Sequence, residues 1–140
     1  PALIEPIAKA HQFTTFTTPP HLQEAVCSGL ALSDHYFDGL KTNLAGKRDR
    51  LGERLSALGF KVGACDAAYF INADFSELGV GDDDVEVCQA MVRDGGVATV
   101  PVSAFYTGAN PPSKFLRFCF CKQDEILDQA ADRLEQWLGR

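Results

Sequence analysis

The sequence predicts an α+β fold: a two-layer sandwich of a small mixed sheet with helices, preceded by an N-terminal helical arm over residues 1–32. Three observations carry that reading. From Ser33 onward the apolar spacing runs helix, two strands, helix, two strands, helix, and mixed strands covered by helices make a two-layer sandwich. Residues 1–32 stand outside that order and are interrupted by Pro19-Pro20. At 140 residues, 46% hydrophobic and 23% charged, the chain has the size and composition of one ordinary globular domain with a real core.

The arm opens with Leu3, Ile4 and Ile7 on one side of a short helix over residues 2–10. The threonine-rich residues 11–18 are expected to be extended. Paired prolines then stop one helix and start the next, over residues 21–32. Ser33 is an N-cap residue for a long helix to about Leu58. Its apolar stripe is Phe37, Leu40, Leu44, Leu51, Leu55 and Leu58, interrupted at Lys47-Arg48 and weakened by Gly46 and Gly52. Gly59 suits the position just past its end.

Strands are expected at residues 60–62 and 67–73. In the second, Tyr69, Ile71 and Ala73 alternate with Phe70 and Asn72. The acidic run Gly81-Asp82-Asp83-Asp84 opens a helix, because carboxylates favour the N-terminal end of the helix dipole. That helix passes through Val85, Cys88, Met91 and Val92 to about Arg93, and Gly95-Gly96 ends it. Residues 97–100 read as a short strand stopped by Pro101. Residues 101–114 read as a loop rich in turn formers, with Gly108, Asn110, Pro111 and Pro112. A strand over residues 115–122 follows. The last helix carries Leu127, Ala130, Leu134, Trp137 and Leu138 on one face, with Gly139 after it. There is no internal repeat and no low-complexity segment.

Several function classes drop out. A net charge of −6 with no basic run argues against a nucleic-acid surface. No apolar stretch reaches membrane-span length. The opening Pro-Ala-Leu-Ile-Glu lacks the basic start and long apolar core of a signal peptide, and a first residue other than methionine points to processing or to a piece of a longer protein. The five cysteines, Cys27, Cys65, Cys88, Cys119 and Cys121, are odd in number and scattered. They make a poor disulfide framework and fit a reducing, cytoplasmic setting. Cys119 and Cys121 could offer two thiolates from one strand face. Zinc needs further ligands, and neither a second pair nor a His-x-x-x-His supplies them, so these thiols read as packing and no metal site is expected.

Catalytic machinery is absent from the pattern. There is no Gly-x-x-x-x-Gly-Lys-Ser/Thr phosphate loop, no Gly-x-Gly-x-x-Gly turn and no Gly-x-Ser-x-Gly elbow. His11, His21 and His35 lack zinc spacing. None of Lys9, Lys41, Lys47, Lys61, Lys114 and Lys122 lies in a context that argues for a desolvated nucleophile.

One binding group remains. In Phe115-Leu-Arg-Phe-Cys-Phe-Cys-Lys122, Leu116, Phe118 and Phe120 share one strand face; Phe115, Arg117, Cys119 and Cys121 share the other. Arg117 therefore sits mid-strand among groups that give it no counter-charge. A guanidinium keeps its proton and needs an anion or a wet cavity. Its planar fork suits a carboxylate held by two hydrogen bonds. From the strand alone, pairing with a structural Asp or Glu, or a solvated face, is the commoner outcome.

The motifs together resemble a known family. His11-Gln12, Phe16 and Thr18-Pro19-Pro20 resemble a segment of class I/II aminotransferases, the fold-type I enzymes that use pyridoxal phosphate. Gly96-Val-Ala-Thr-Val-Pro-Val-Ser-Ala-Phe-Tyr106 resembles the family's active-site loop segment. The Arg117 strand, followed by Asp124-Glu125 and Arg133-Leu134, is similar to its C-terminal signature. The nearest subgroup is the methionine, kynurenine and aromatic aminotransferases, and the resemblance covers essentially the whole chain.

The resemblance implies a specific division of labour. In these enzymes the lysine that bonds the cofactor lies upstream of the first residue here, as do the pyridine-nitrogen Asp and most phosphate ligands. It implies that residues 1–32 are the tail end of the large domain and residues 33–140 the C-terminal small domain. The implied activity is amino-group transfer between an amino acid and a 2-oxo acid, with pyridoxal 5'-phosphate in the full-length enzyme. No cofactor is expected on this fragment, which would be inactive alone. A large cofactor-binding domain and a second copy, as a homodimer, are the implied partners. Arg117 matches the arginine that binds the substrate α-carboxylate. Phe16 matches an aromatic that reaches the neighbouring subunit's active site, with interdomain packing as its alternative. Ser103 and Tyr106 fall in a loop near the site with no chemical role assigned. The rival reading is a stand-alone, non-catalytic α+β module that binds a ligand or a protein.

Overall fold

The computed structural model describes residues 3–139, and the chain divides into two compact units, one through Gly39 and one from Leu40. The first unit holds helix α1 (Ile4–Thr15), helix α2 (Pro20–Leu30) and the start of α3 (Asp34–Ala57). The expected start at Ala2 lies outside the described residues. The extended segment expected from His11 is helical as far as Thr15. Local side-chain bonds explain it: Lys9 pairs with Glu5 one turn back at 2.8 Å, and the Thr14 hydroxyl donates to the Ala10 carbonyl at 3.1 Å. Phe16, at φ +53°, ends the helix and donates its N–H to Gln12 O. Pro20 then occupies the first turn of α2, where its missing N–H costs nothing. No residue of α1 or α2 is buried.

The second unit is built on a four-stranded sheet. Its strands are β1 (Lys61–Val62), β2 (Phe70–Asp74), β3 (Val100–Pro101) and β4 (Phe115–Cys119), in the order β1-β2-β4-β3. Every pairing is antiparallel, so the expected mixed sheet is corrected to an antiparallel one. β2 and β3 do run in the same direction, but β4 lies between them.

Each strand differs slightly from its sequence range, for local reasons. β2 starts at Phe70 because Ala68 sits at φ +64°, which breaks extended backbone just before it. β3 includes Pro101 rather than stopping before it. An edge strand tolerates proline, since its outward side needs no donor. Val97 is withheld from that strand by its N–H bond to Met91 O at the end of the preceding helix. The β4 ladder ends at Cys119, short of Lys122, and the Phe120 N–H bonds Tyr69 O beyond it.

The helices follow their end signals. Gly59, at φ +91°, closes α3, and Phe60 N–H reaches back to Leu55 O at 3.1 Å. Helix α4 (Asp84–Ala90) is capped by Asp83, whose carboxylate accepts from Val85 N and Glu86 N at 2.9 and 3.0 Å. A wider helical turn over Met91–Gly95 continues it until Gly96 at φ +64°. Helix α5 (Asp124–Trp137) is fastened to α3 by Arg50–Asp128 and Arg54–Asp132 pairs at 2.5 and 2.6 Å.

One sheet face is dry. Ile71, Ala73, Leu116 and Phe118 point into a core that also holds Leu51, Leu55, Val87, Met91, Phe120, Leu127 and Leu134. The opposite face carries Phe70, Asn72 and Asp74 on β2, with Phe115, Arg117 and Cys119 facing them on β4. All six are half-buried or exposed. That open face is where the fold places Arg117.

Candidate carboxylate-binding site on the open sheet face

Arg117 occupies the middle of β4, opposite Asn72 on β2 and Val100 on β3. A residue flanked by strands on both sides has its backbone fixed, so only the side chain has freedom. Two aromatic rings restrict that. The guanidinium carbon lies 3.5 Å from the centroid of Phe70 and 5.0 Å from that of Phe105. Each such contact is worth about 0.5–2 kcal/mol, more as water is excluded. Stacking uses the flat faces of the cation and leaves its N–H donors around the edge.

No carboxylate among the described residues pairs with that edge. Of the two outcomes the strand pattern favoured, the structural ion pair does not form among those residues, and the half-buried Arg117 keeps part of its surface in solvent. Arg117 is thus a half-buried fork stacked against rings, with no carboxylate of the described residues paired to it.

The second ring is itself anchored. Phe105 ends a short 3-10 turn over Val102–Phe105. Ser103 ties that turn to α4: its N–H donates to Asp84 Oδ2 at 2.8 Å and its hydroxyl to Asp84 Oδ1 at 2.6 Å. Asp84 has no exposed surface, and these bonds are what make its burial tolerable. Tyr106, the next residue after the turn, is exposed. Phe70 and Phe105, and the Asp84–Ser103 tether, were not singled out from sequence. The alternation of β2 fixes which face Phe70 occupies, but its position beside Arg117 depends on strand register.

The other candidate groups are elsewhere or engaged. Phe16 belongs to the first unit, at the end of α1, and is 86% exposed. Lys61 is carried on β1, where its bond to Glu77 pushes its pKa up. Lys114 bonds Asp82 and the Gly81 carbonyl, holding the Asp82 carboxyl below its ordinary value. Lys47 donates to the Lys122 carbonyl at 2.6 Å, and Lys9 pairs with Glu5. Burial pushes up the Cys88 thiol, which sits 3.1 Å from Thr99 Oγ1. Among the described residues no three His, Cys, Asp or Glu side chains gather to hold a metal. Nor is any helix among them long and apolar enough to cross a membrane.

Residues 1–134 match the family model for aminotransferase class I and II. The chain belongs to that family. It is 35% identical over 131 residues to the methionine aminotransferase of Escherichia coli, covering 93% of this chain and 33% of the relative. It is 32% identical over 155 residues to kynurenine–oxoglutarate transaminase 3 of Rattus norvegicus, covering 99% of this chain and 34% of that one. The solved N-succinyldiaminopimelate aminotransferase of Mycobacterium tuberculosis superposes with a TM-score of 0.83 at 36% identity, over 97% of this chain and 35% of that chain. The chain thus spans about a third of the length of these relatives, and its α+β fold is theirs over that span.

Proposed function

We propose that this chain is the C-terminal, substrate-binding segment of a cytoplasmic, pyridoxal-phosphate-dependent aminotransferase, and that Arg117 binds the substrate α-carboxylate. The reaction is amino-group transfer between an amino acid and a 2-oxo acid. The observation that carries the reading is the Arg117 fork: clamped by Phe70, 5.0 Å from Phe105, and without an anion among the described residues. Two parallel N–H···O bonds to a carboxylate fix both its distance and its plane, which orients the α-carbon that must react.

The residues present do not fit the cofactor. Bonding it requires a lysine that loses its proton easily, and desolvation is the usual device. Lys9, Lys47, Lys61 and Lys114 are instead bound to carboxylates or carbonyls, and Lys41 and Lys122 are exposed to solvent rather than desolvated. The one lysine in the open sheet, Lys61, is pushed the wrong way by Glu77. The cofactor-bonding group and the large domain therefore belong to a segment outside this chain, and the chain alone is inactive. In the whole enzyme residues 1–32 close the large domain, residues 33–140 form the small one, and two copies pair so that Phe16 of one reaches toward the other's site.

Mixing the purified chain with pyridoxal phosphate and trapping with borohydride tests the division. Slow, scattered labelling of surface lysines is the expected result. A stoichiometric adduct at one lysine would overturn it.

A further inference from the structure

Cys119 and Cys121 bring two sulfurs within 3.2 Å of each other on the Arg117 side of β4. Cys121 is exposed and Cys119 half-buried. The remaining thiols are differently placed. Cys65 donates to Phe70 O at 3.0 Å, Cys88 is buried against Thr99, and Cys27 lies in the first unit.

Residues two apart on an ideal strand are roughly 6.8 Å apart at Cα, at the outer limit of what a disulfide spans. Here the ladder stops at Cys119. The Phe120 N–H bond to Tyr69 O is the last backbone bond to β2's side, and Cys121 lies just past it, before the Lys122 carbonyl that Lys47 holds. The sulfurs already touch in the reduced form, so closure needs a movement of about an ångström toward a bond near 2.05 Å.

We propose that Cys119 and Cys121 form a reversible dithiol–disulfide site, oxidised by small disulfides of the oxidised-glutathione class. The exposed Cys121 thiolate attacks one sulfur of the oxidant and displaces one glutathione thiolate. Cys119 then attacks the Cys121 sulfur and expels the glutathione attached to it. The protein loses two electrons and two protons. The oxidant's S–S bond is reduced, and the two protons end on two glutathione thiols. The hydrogen bond to Cys119 pushes the Cys121 thiol up, so entry speeds as pH rises. A link through the exposed Cys121 is readily reduced, which suits a reversible site in a reducing compartment. The inference rests on the sulfur geometry and stands whether or not Arg117 binds a carboxylate.

The test treats the full 140-residue chain with oxidised glutathione, alkylates the remaining thiols and maps tryptic peptides. Cleavage after Arg117 and Lys122 isolates both sulfurs in residues 118–122. The expected peptide is two hydrogens lighter, carries no glutathione and takes up alkylating agent only after dithiothreitol. The Cys119→Ser variant should instead retain glutathione on Cys121, with circular dichroism confirming its fold. Retention of glutathione on wild-type Cys121 to the same extent as in Cys119→Ser overturns the proposal. So does a peptide alkylated at both sulfurs at every glutathione ratio, or cross-linking of two chains through these residues.

Discussion

Ser103→Ala should unfasten the turn that holds Phe105 near Arg117. The variant removes one hydroxyl, the donor to Asp84 Oδ1 at 2.6 Å, and leaves the amide bond to Oδ2 in place. A hydrogen bond to a charged acceptor contributes about 1.5–3 kcal/mol. Asp84 is fully buried, so no water replaces the lost donor without opening the packing. A loss of about 2 kcal/mol is the central expectation, which lowers Tm by roughly 8–16 °C in a unit of this size. Urea unfolding followed by circular dichroism reads the free energy, with an unchanged m-value showing that the native and unfolded states are otherwise the same. Ser103→Thr keeps a hydroxyl and should recover most of the loss. If Ser103→Ala unfolds within about 0.5 kcal/mol of wild type, the size of an ordinary surface change, the tether is not what stabilises the turn.

Three further outcomes follow from the same structure. Leu55, fully buried on the core face of α3, should cost about 2.7–5 kcal/mol on replacement by alanine, measured by the same unfolding; a loss below about 1 kcal/mol would contradict its place in the core. Burial alone would raise the Asp74 carboxyl, but bonds from Ser76 and the charges of Lys61 and Lys114 outweigh it and hold the pKa below its ordinary value. A depressed carboxylate stabilises the fold above the ordinary value of about 3.9, and that contribution disappears as pH falls through the folded-state pKa. Acid titration of stability should therefore be shallower below about pH 4 in Asp74→Asn than in wild type, and coincident curves would count against the assignment. Deleting residues 1–32 removes the exposed Leu3, Ile4, Ile7, Phe13, Phe16 and Leu22 and should leave a folded, more monomeric chain by light scattering. A full chain that is already monomeric would show that these exposed apolar side chains do not drive self-association, and an unfolded truncation would move the boundary away from Ser33.

Short-range chemistry was legible in the sequence. Gly59 ends α3, Asp83 sits at the mouth of α4, and the alternation of β4 separates Leu116 and Phe118 from Arg117. These depend on neighbours a few residues apart. The helix through His11–Thr15 was missed because threonine is a poor helix former, and the compensating bonds of Thr14 and Lys9 reach back one turn. The start of β3 was misplaced for a longer-range reason. Val97 is held by Met91 O, and Pro101 is tolerated only because β3 lies at an edge, which composition does not reveal. The site was half legible. Arg117 stood out as an arginine among apolar neighbours, and the family resemblance gave it a ligand. Its clamp did not stand out, since Phe70 and Phe105 come from distant segments, and a buried Asp84 hid within an acidic run that read as a helix start.

The carboxylate role of Arg117 is tested most directly in a protein joining this chain to its cofactor-binding segment. Two substrates are compared, an α-amino acid and the amine that lacks only its carboxylate, each with wild type and Arg117→Lys. Lysine keeps the charge and loses the two-pronged geometry. The account predicts a loss of about 2–4 kcal/mol in kcat/KM for the amino acid, roughly 30- to 1000-fold, and almost none for the amine. Equal losses for both substrates, or near-normal kcat/KM for the amino acid, would contradict it.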